Sequence, residues 1–292
     1  MPAVDDAARN WRQGAGGSAR LLARGRRDLI LDELGRRGSV RVSELTTLLG
    51  VSDMTVRRDL DVLALAGSLE KVHGGATLID GESARSIEPG FAIKSSKQTS
   101  EKEAIALRAA AMVRPGTAIG LTAGTTTWHL AGALEGVADL IVVTNSIRIC
   151  ETLLGYERND LTVMLSGGVR TPSDALVGPL AVQALSSLHL DQVFMGVHGM
   201  SERAGFTTPN LLEAETNRTF RQASEHLVVL ADHTKWGTVG LSTIAPLKDA
   251  SAVVTDDLMP TAVRTILREH VHELVIAERQ PPIEGGTATW PP

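Results

Sequence analysis

Residues 51–60, Val-Ser-Asp-Met-Thr-Val-Arg-Arg-Asp-Leu, combine helical apolar spacing with two adjacent arginines. In a helix that begins after Ser52, its N-cap, the core-facing residues recur at i, i+4 and i+7: Val56, Leu60 and Leu63. A rotation of about 100° per residue places a second set on the opposite face, with Arg57 beside it: Met54, Thr55 and Arg58. Such a helix suits entry into a DNA major groove, although an amphipathic surface helix with solvated arginines fits this pattern equally well.

The residues before this helix predict the element that it packs against. A first helix is predicted from about Leu21 to Arg37, and a second from a Ser43 cap to Leu49. Gly50 suits the left-handed position that ends a helix, and a tight turn follows it. Two short helices joined by a glycine-containing turn, the second of which exposes arginines, predict a helix-turn-helix that binds double-stranded DNA.

Residues 68–78 predict a β-wing directly after the helix-turn-helix. Side chains alternate along this stretch, and Gly74-Gly75 permits a hairpin turn. Lys71 and His73 lie near the tip of this hairpin and are predicted to contact DNA phosphates. A plain connecting hairpin is the alternative interpretation.

Beyond residue 98 the chain alternates short apolar strands with helices. Strands are predicted over seven ranges: 118–121, 140–144, 161–165, 192–196, 227–231, 252–255 and 273–276. Strands that are apolar on both faces and alternate with helices are typical of an α/β domain with a largely parallel sheet.

Loops rich in small polar residues follow four of these strands. In the first loop Gly124 permits close backbone approach, and the hydroxyls of Thr125 and Thr126 can donate to phosphate oxygens at a helix N-terminus. The other three loops contribute an amide, two glycines and a cation: Asn145, Gly167, Gly168 and Lys235. Each loop alone is compatible with an ordinary turn. Together, at one edge of a sheet, they predict a pocket for a small, phosphorylated, hydroxyl-rich ligand.

Composition and charge limit the class of protein. The chain has 292 residues, 43% of them hydrophobic, and a net charge of −5, so two globular domains are expected. Residues 1–78 hold 12 of the 29 basic and 10 of the 34 acidic residues, which makes the N-terminal end mildly basic and the remainder acidic. This asymmetry favours an anionic partner at the N-terminal end.

The single cysteine, Cys150, excludes an internal disulfide and a cysteine-based metal cluster. No apolar run reaches the roughly 18 residues of a membrane helix, and the N-terminus lacks a signal-peptide core. A cytoplasmic protein without membrane association is therefore expected, and no cofactor or metal is predicted.

The stretch from Arg27 to Ala76 resembles the DNA-binding head of the DeoR family of bacterial transcriptional regulators. Three segments carry the resemblance: Gly38-Ser-Val-Arg-Val-Ser-Glu-Leu45, residues 51–60 and His73-Gly-Gly-Ala76. It continues to about residue 257 through several motifs: Ala123-Gly-Thr-Thr126, Thr144-Asn-Ser146, Gly167-Gly168, Asp191, Glu213, Lys235 and Thr255-Asp256. One departure stands out, because the family commonly has Asp where this chain has Thr122.

The resemblance implies a winged helix-turn-helix followed by an α/β sensor domain similar in fold to ribose-5-phosphate isomerase. It implies that a phosphorylated sugar binds at the strand-end loops, and it adds Asp191 and Glu213 to that site. The predicted organisation is a disordered leader, a DNA-binding domain, a linker, a sensor domain and a flexible tail: 1–19, 20–78, 79–97, 98–279 and 280–292. Because dimers present two recognition helices to paired half-sites, a homo-oligomer, dimer or tetramer, is expected.

The sequence therefore predicts a sequence-specific repressor of a carbohydrate-metabolism operon, controlled by a phosphorylated sugar. The alternative is a sugar-phosphate isomerase fused to a DNA-binding module. In that hypothesis Glu213 or Asp191 would abstract a proton and Lys235 would stabilise the enediolate. The sequence offers no convincing acid/base pair, so a protein without enzymatic activity is favoured.

Overall fold

The computed structural model describes residues 23–65, 69–77, 91–171 and 173–279. The predicted leader, the predicted tail and residues 79–90 of the predicted linker lie outside these ranges. Within the described ranges, no helix has both the length and the apolar content that crossing a bilayer requires.

The N-terminal domain is a winged helix-turn-helix, as predicted. Its elements in chain order are α1 (Ala23–Arg37), β1 (Ser39–Arg41), α2 (Val42–Leu49), α3 (Asp53–Leu65), β2 (Glu70–Val72) and β3 (Gly75–Thr77). The three strands form an antiparallel sheet in the order β1-β3-β2. The apolar stripe predicted for α3 is buried against α1 and α2, with Val56, Leu60 and Leu63 in one cluster with Ile30 and Leu45.

The start of α2 differs from the prediction, and two glycines fix the turns around it. Helix α2 begins at Val42 rather than after a Ser43 cap, because the Val42 amide donates to the Gly74 carbonyl of the wing and Glu44 accepts from the Arg41 amide. Gly50 ends α2 in the left-handed conformation, with φ of 63°, as predicted. At the wing, a Cβ on Gly75 would overlap the Val40 carbonyl, so only glycine lets β3 pair so closely with β1.

The C-terminal domain is built on a seven-stranded parallel sheet, which confirms the predicted fold class. Its strands are β4 (Ala118–Leu121), β5 (Leu140–Thr144), β6 (Leu161–Leu165), β9 (Leu190–Gly196), β12 (Ser224–Leu230), β14 (Ala252–Asp256) and β15 (Leu274–Ala277). They lie in the order β15-β14-β12-β9-β4-β5-β6. The chain thus builds outward to one side from β4 and to the other side from β9. The boundary between β4 and β9 is the topological switch point, where open α/β sheets bind ligands at the carboxyl ends of the strands.

Helices cover both faces of this sheet. They are α4 (Phe91–Ser95), α5 (Thr99–Ala110), α6 (Thr125–Gly132), α7 (Ile147–Leu154), α8 (Pro179–Leu185), α9 (Leu211–Gln222) and α10 (Thr261–His270). Residues of α5, α6 and α7 share one buried cluster, whereas residues of α8, α9 and α10 share the other. Side chains alternate between these clusters along the inner strands, as Phe194 and Met195 do in β9, which explains why these strands are apolar on both faces. In the edge strand β6 only Leu161 and Val163 pack on a cluster.

Several elements were not predicted. A second, antiparallel sheet has the order β10-β11-β13, from Gly199–Ser201, Gly205–Thr208 and Ser242–Ala245. A two-stranded hairpin pairs β7 (Val169–Arg170) with β8 (Leu176–Val177). The last part of the predicted linker contains a short helix, since residues 91–95 form α4. Helix α6 begins at Thr125, and three consecutive threonines, β-branched residues that are unfavourable in isolated helices, form its first turn.

Candidate functional site

The carboxyl ends of β4 and β9 meet at the switch point through Thr122. Its amide donates to the Phe194 carbonyl over 3.1 Å, and its hydroxyl accepts from the Gly196 amide over 3.2 Å. The side chain is fully buried. The residue that departs from the family pattern therefore fastens two strand ends together at the centre of the candidate site.

Helix α6 starts in this crevice. Its N-cap is Gly124, whose backbone is extended. Because glycine has no side chain, no cap side chain occupies the end of the helix. The first amides of a helix have no partner within it and carry part of the positive end of the helix dipole. Thr125 and Thr126, the first two helical residues, are each 6% exposed. This helix end presents amide and hydroxyl donors that suit a phosphate group.

Asn145, predicted to contact the ligand, bonds instead to two neighbouring loops. Its Oδ1 accepts from the Ala123 amide over 2.8 Å, and its Nδ2 donates to the Leu176 carbonyl over 3.1 Å. The side chain is 1% exposed. Asn145 therefore positions the loop that precedes α6, and the structure does not support a direct ligand contact from its buried amide.

Gly167 and Gly168 both adopt positive φ, 71° and 119°, at the turn from β6 into the β7–β8 hairpin. A Cβ on Gly168 would lie 2.6 Å from the Val177 carbonyl oxygen. These two glycines allow the hairpin to fold back, so that Ala175 forms a bridge with Ser146 in the loop that follows β5.

Glu213 lies in the first turn of α9, whose N-cap Asn210 accepts from its amide. The carboxylate is 7% exposed and accepts from the hydroxyls of Ser173 over 2.5 Å and Thr171 over 3.0 Å. Thr208 donates to its other oxygen over 3.5 Å. Glu213 thus holds the hairpin loop against α9, a role different from the proton-abstracting base of the isomerase hypothesis.

The structure does not bring Asp191 to the other predicted site residues. Asp191 is the second residue of β9, so it lies at the amino edge of the sheet, whereas Gly196 ends the strand at the crevice. Its carboxylate is exposed to solvent and accepts from the Ala118 amide at the start of β4 over 2.8 Å. Asp191 therefore joins two strand starts, at the edge of the sheet opposite the candidate site.

Lys235 follows β12 in a short 3₁₀ turn, His233–Lys235, that two carboxylates fix. Asp232 caps the turn by accepting from the Thr234 amide over 3.0 Å. The fully buried Asp256, which ends β14, accepts from the His233 amide over 2.7 Å and contacts its Nδ1 over 2.9 Å. A lysine on a fixed backbone turn is thus present on the same edge of the sheet as α6.

Lys102 is a second cation here, and sequence reasoning missed it. It lies in α5, is 3% exposed, and its pKa is lowered to about 8 by burial and then by repulsion from Lys235. Its charge in turn lowers the pKa of His129 in α6. Lys102 precedes Ile105, Ala106 and Ala109 by three, four and seven residues, so a lysine on the core-facing stripe was a signal available in the sequence.

The second candidate surface is the exposed face of α3 and the wing. Ser52 caps α3 as predicted, because its Oγ accepts from the Thr55 amide over 3.3 Å and lies 2.9 Å from the Thr55 hydroxyl. Met54, Arg57 and Arg58 are exposed, as are the wing residues Lys71 and His73.

Three charged side chains of this surface differ in how they are held. Arg57 Nε donates to Asp53 over 2.5 Å, and Lys71 is bonded to Asp61 of α3, which ties the wing to the helix. Among the residues that the structure describes, the side chain of Arg58 makes no hydrogen bond or ion pair. Its guanidinium can therefore reach a base edge without first breaking an ion pair.

Two family models match the chain. A DeoR-like helix-turn-helix domain matches residues 26–82, and a DeoR C terminal sensor domain matches residues 97–257. The chain belongs to the DeoR family. Family members are transcriptional regulators, so regulation of transcription rather than catalysis is the activity of this DeoR-family chain, and the isomerase alternative is not supported.

Curated relatives of this DeoR-family chain match nearly along their whole length. An uncharacterised HTH-type transcriptional regulator, FruR, of Bacillus subtilis strain 168 is 35% identical over 81% of this chain and 92% of its own. A putative aga operon transcriptional repressor of Escherichia coli O157:H7 is 32% identical over 86% and 93%. The glycerol-3-phosphate regulon repressor of E. coli K12 is 29% identical over 82% and 94%. Among solved structures, ribose 5-phosphate isomerase from Plasmodium falciparum aligns with a TM-score of 0.35 and 16% identity, over 48% of this chain and 54% of its own.

The buried His129 makes the stability of the DeoR sensor domain depend on pH. Its pKa is lowered to about 4, first by burial and then by Lys102, from an ordinary value near 6.5. The unfolded state therefore binds more protons between pH 6.5 and 4, so stability is fully present above pH 6.5 and falls as the pH drops toward 4. The loss amounts to at most about 3 kcal/mol.

Chemical denaturation at several pH values between 4 and 7 measures this dependence. His129→Leu is expected to flatten the profile, whereas a variant of the exposed wing histidine, His73→Ala, should retain the wild-type slope. An unchanged slope in His129→Leu would assign the acid sensitivity to other groups.

Proposed function

We propose that this regulator represses a carbohydrate-metabolism operon and that a phosphorylated sugar bound at the β4–β9 switch point controls its affinity for the operator. The observation that carries the proposal is the uncapped start of α6 in that crevice, with Thr125 and Thr126 in its first turn. The cations of Lys235 and Lys102 lie on the same edge and complement a phosphate charge.

The surroundings of this helix end support the same ligand class. Gly167 and Gly168 shape the neighbouring hairpin, and Glu213 fixes its loop through hydroxyl groups. Two relatives support control by carbohydrate metabolism, since one is named for the aga operon and another for the glycerol-3-phosphate regulon. We place Gly124, Thr125, Thr126 and Lys235 in direct contact with the ligand.

The DNA side of the proposal rests on the exposed face of α3 and the wing. Arg58, Met54 and Thr55 are placed toward base edges in the major groove, and Arg57 and Ser52 beside them. Lys71 and His73 are placed on phosphates. We further propose a homo-oligomer, dimer or tetramer, acting on paired half-sites, and the cytoplasm as its compartment because the operator lies there.

A thermal-shift screen of the full chain tests the ligand. The panel comprises glycerol 3-phosphate, ribose 5-phosphate, fructose 1-phosphate and fructose 6-phosphate, with the unphosphorylated compounds as matched controls. A specific ligand at about 100 times its Kd stabilises by about 2.7 kcal/mol, which raises the melting temperature by roughly 5 °C or more. If no phosphorylated compound raises it above its unphosphorylated control, the proposed ligand class is wrong.

A further inference from the structure

The segment 91–97 contacts both domains. It contains α4, which packs against α1 of the winged helix and against α6 of the sensor domain. A change in its position therefore reaches α1, which in turn packs on the recognition helix α3.

Phe91 fixes the start of this segment to two sensor helices. Its ring meets the edge of Trp128 in α6, with ring centroids 5.7 Å apart and an interplanar angle of 83°. The guanidinium of Arg148 in α7 lies over the same ring, 5.6 Å from its centroid. Both α6 and α7 begin at strand-end loops of the candidate ligand site, so Phe91 contacts the two helices that lead away from that site.

Arg148 extends this contact to the hairpin beside the site. Its Nε donates over 3.1 Å to Asp174, whose carboxylate is buried and also accepts from Arg170 over 2.6 Å. Asp174 directly follows Ser173, which donates to Glu213. Arg148 therefore connects Phe91 to the hairpin loop beside the candidate site through its hydrogen bond to Asp174.

Lys102 fixes the end of the same segment. Its Nζ donates to the backbone carbonyls of Lys94 and Lys97. One buried ammonium therefore provides hydrogen bonds to two carbonyl groups at and just after the end of α4. The same ammonium is repelled by Lys235. An anion that neutralises Lys235 weakens this repulsion on the Lys102 ammonium, which holds the segment.

We infer that Phe91 and Lys102 form a clamp on residues 91–97 that transmits ligand occupancy at the switch point to the DNA-binding domain. This inference rests on the proposed function and identifies its regulatory route. Phe91 and Lys102 act as positioning residues: they shift the relative stability of two arrangements of the domains, which is all that allosteric control requires.

The test is a linkage measurement on the full chain. A DNA duplex selected from a randomised pool by the wild-type protein serves as operator, and the panel compound with the largest thermal shift serves as ligand. The ratio of operator Kd with saturating ligand to Kd without ligand measures coupling, for which 5- to 150-fold is typical. Saturation removes any effect of the variants on ligand affinity itself.

Phe91→Ala and Lys102→Met are expected to lower this ratio below about twofold. The ring-retaining Phe91→Tyr and the exposed neighbour Lys97→Met are the matched controls and should keep the wild-type ratio. Wild-type ratios in both clamp variants would overturn the inference while leaving the proposed function intact.

Amide hydrogen exchange of the same proteins without ligand provides a second readout. Lys102→Met is expected to increase exchange in residues 91–97 and also in α1, because the clamp holds both. If exchange in α1 stays at the wild-type rate, the clamp does not reach the DNA-binding domain and the inference fails. This readout applies even if no panel compound acts on the wild type, a result that would overturn the proposed ligand instead.

Discussion

Replacing Arg58 by alanine is expected to weaken operator binding by about 5- to 150-fold, the range that corresponds to the 1–3 kcal/mol of a bidentate contact between arginine and guanine. The side chain is exposed on the outer face of α3 and, within the described residues, is held by no ion pair. The predicted base contact therefore requires no loss of a side-chain ion pair or hydrogen bond in the free protein. Fluorescence anisotropy with the selected operator and a scrambled duplex, at one fixed salt concentration, measures both affinity and preference.

Arg57→Ala is the matched control within the same helix. Its guanidinium already bonds Asp53, so its loss is expected to cost less and to affect operator and scrambled DNA alike. Arg108→Ala, on the exposed side of α5 in the sensor domain, should leave both affinities unchanged. An operator affinity of Arg58→Ala equal to that of the wild type would remove this residue from the base-reading set.

The recognition helix was predictable because its information is local. The i, i+4, i+7 apolar spacing sets which face of α3 is buried, and Ser52 caps the helix through atoms only three residues apart. The tie between Lys71 of the wing and Asp61 of α3 was not predicted, since it joins side chains from two elements.

The sequence predicted on which edge of the sheet the residues of the candidate ligand site lie. It predicted less well what each of these side chains does. Loops that follow parallel strands gather at one edge, which correctly brought Gly124 and Lys235 to the same side of the sheet. The role of Asn145 is set by bonds to Ala123 and Leu176, partners that no local pattern reveals. Long-range hydrogen bonds of this kind decide whether a polar residue contacts ligand or positions a loop.

Asp191 shows what the direction of a strand adds to a motif. The predicted strand began at Gln192, so the residue before it had to lie at the amino edge, away from the carboxyl ends where the loops gather. A motif residue is thus best tested against the polarity of its strand before a role is assigned.

At a ligand concentration equal to the wild-type Kd, Lys235→Ala is expected to remove nearly all of the response of operator binding to ligand. Operator affinity without ligand should stay within about twofold of the wild-type value. The lysine is held by the turn that Asp232 and Asp256 fix, far in sequence from α3, and contributes a point charge to phosphate recognition. Removing a charge-assisted phosphate contact costs about 1.5–3 kcal/mol, which lowers ligand affinity by roughly 10- to 150-fold. Titration calorimetry with the panel compound and anisotropy on the operator measure the two effects separately.

Asp191→Ala is the control that tests the geometry rather than the charge alone. Because its carboxylate bonds the Ala118 amide at the amino edge of the sheet, its loss is expected to cost about 1 kcal/mol of folding stability and to leave ligand affinity unchanged. If the ligand binds at the β4–β9 switch point, Lys235→Ala lowers ligand affinity and Asp191→Ala does not. Equal losses of ligand affinity in Lys235→Ala and Asp191→Ala would place the ligand elsewhere, whereas a normal response in Lys235→Ala would exclude that cation from the site.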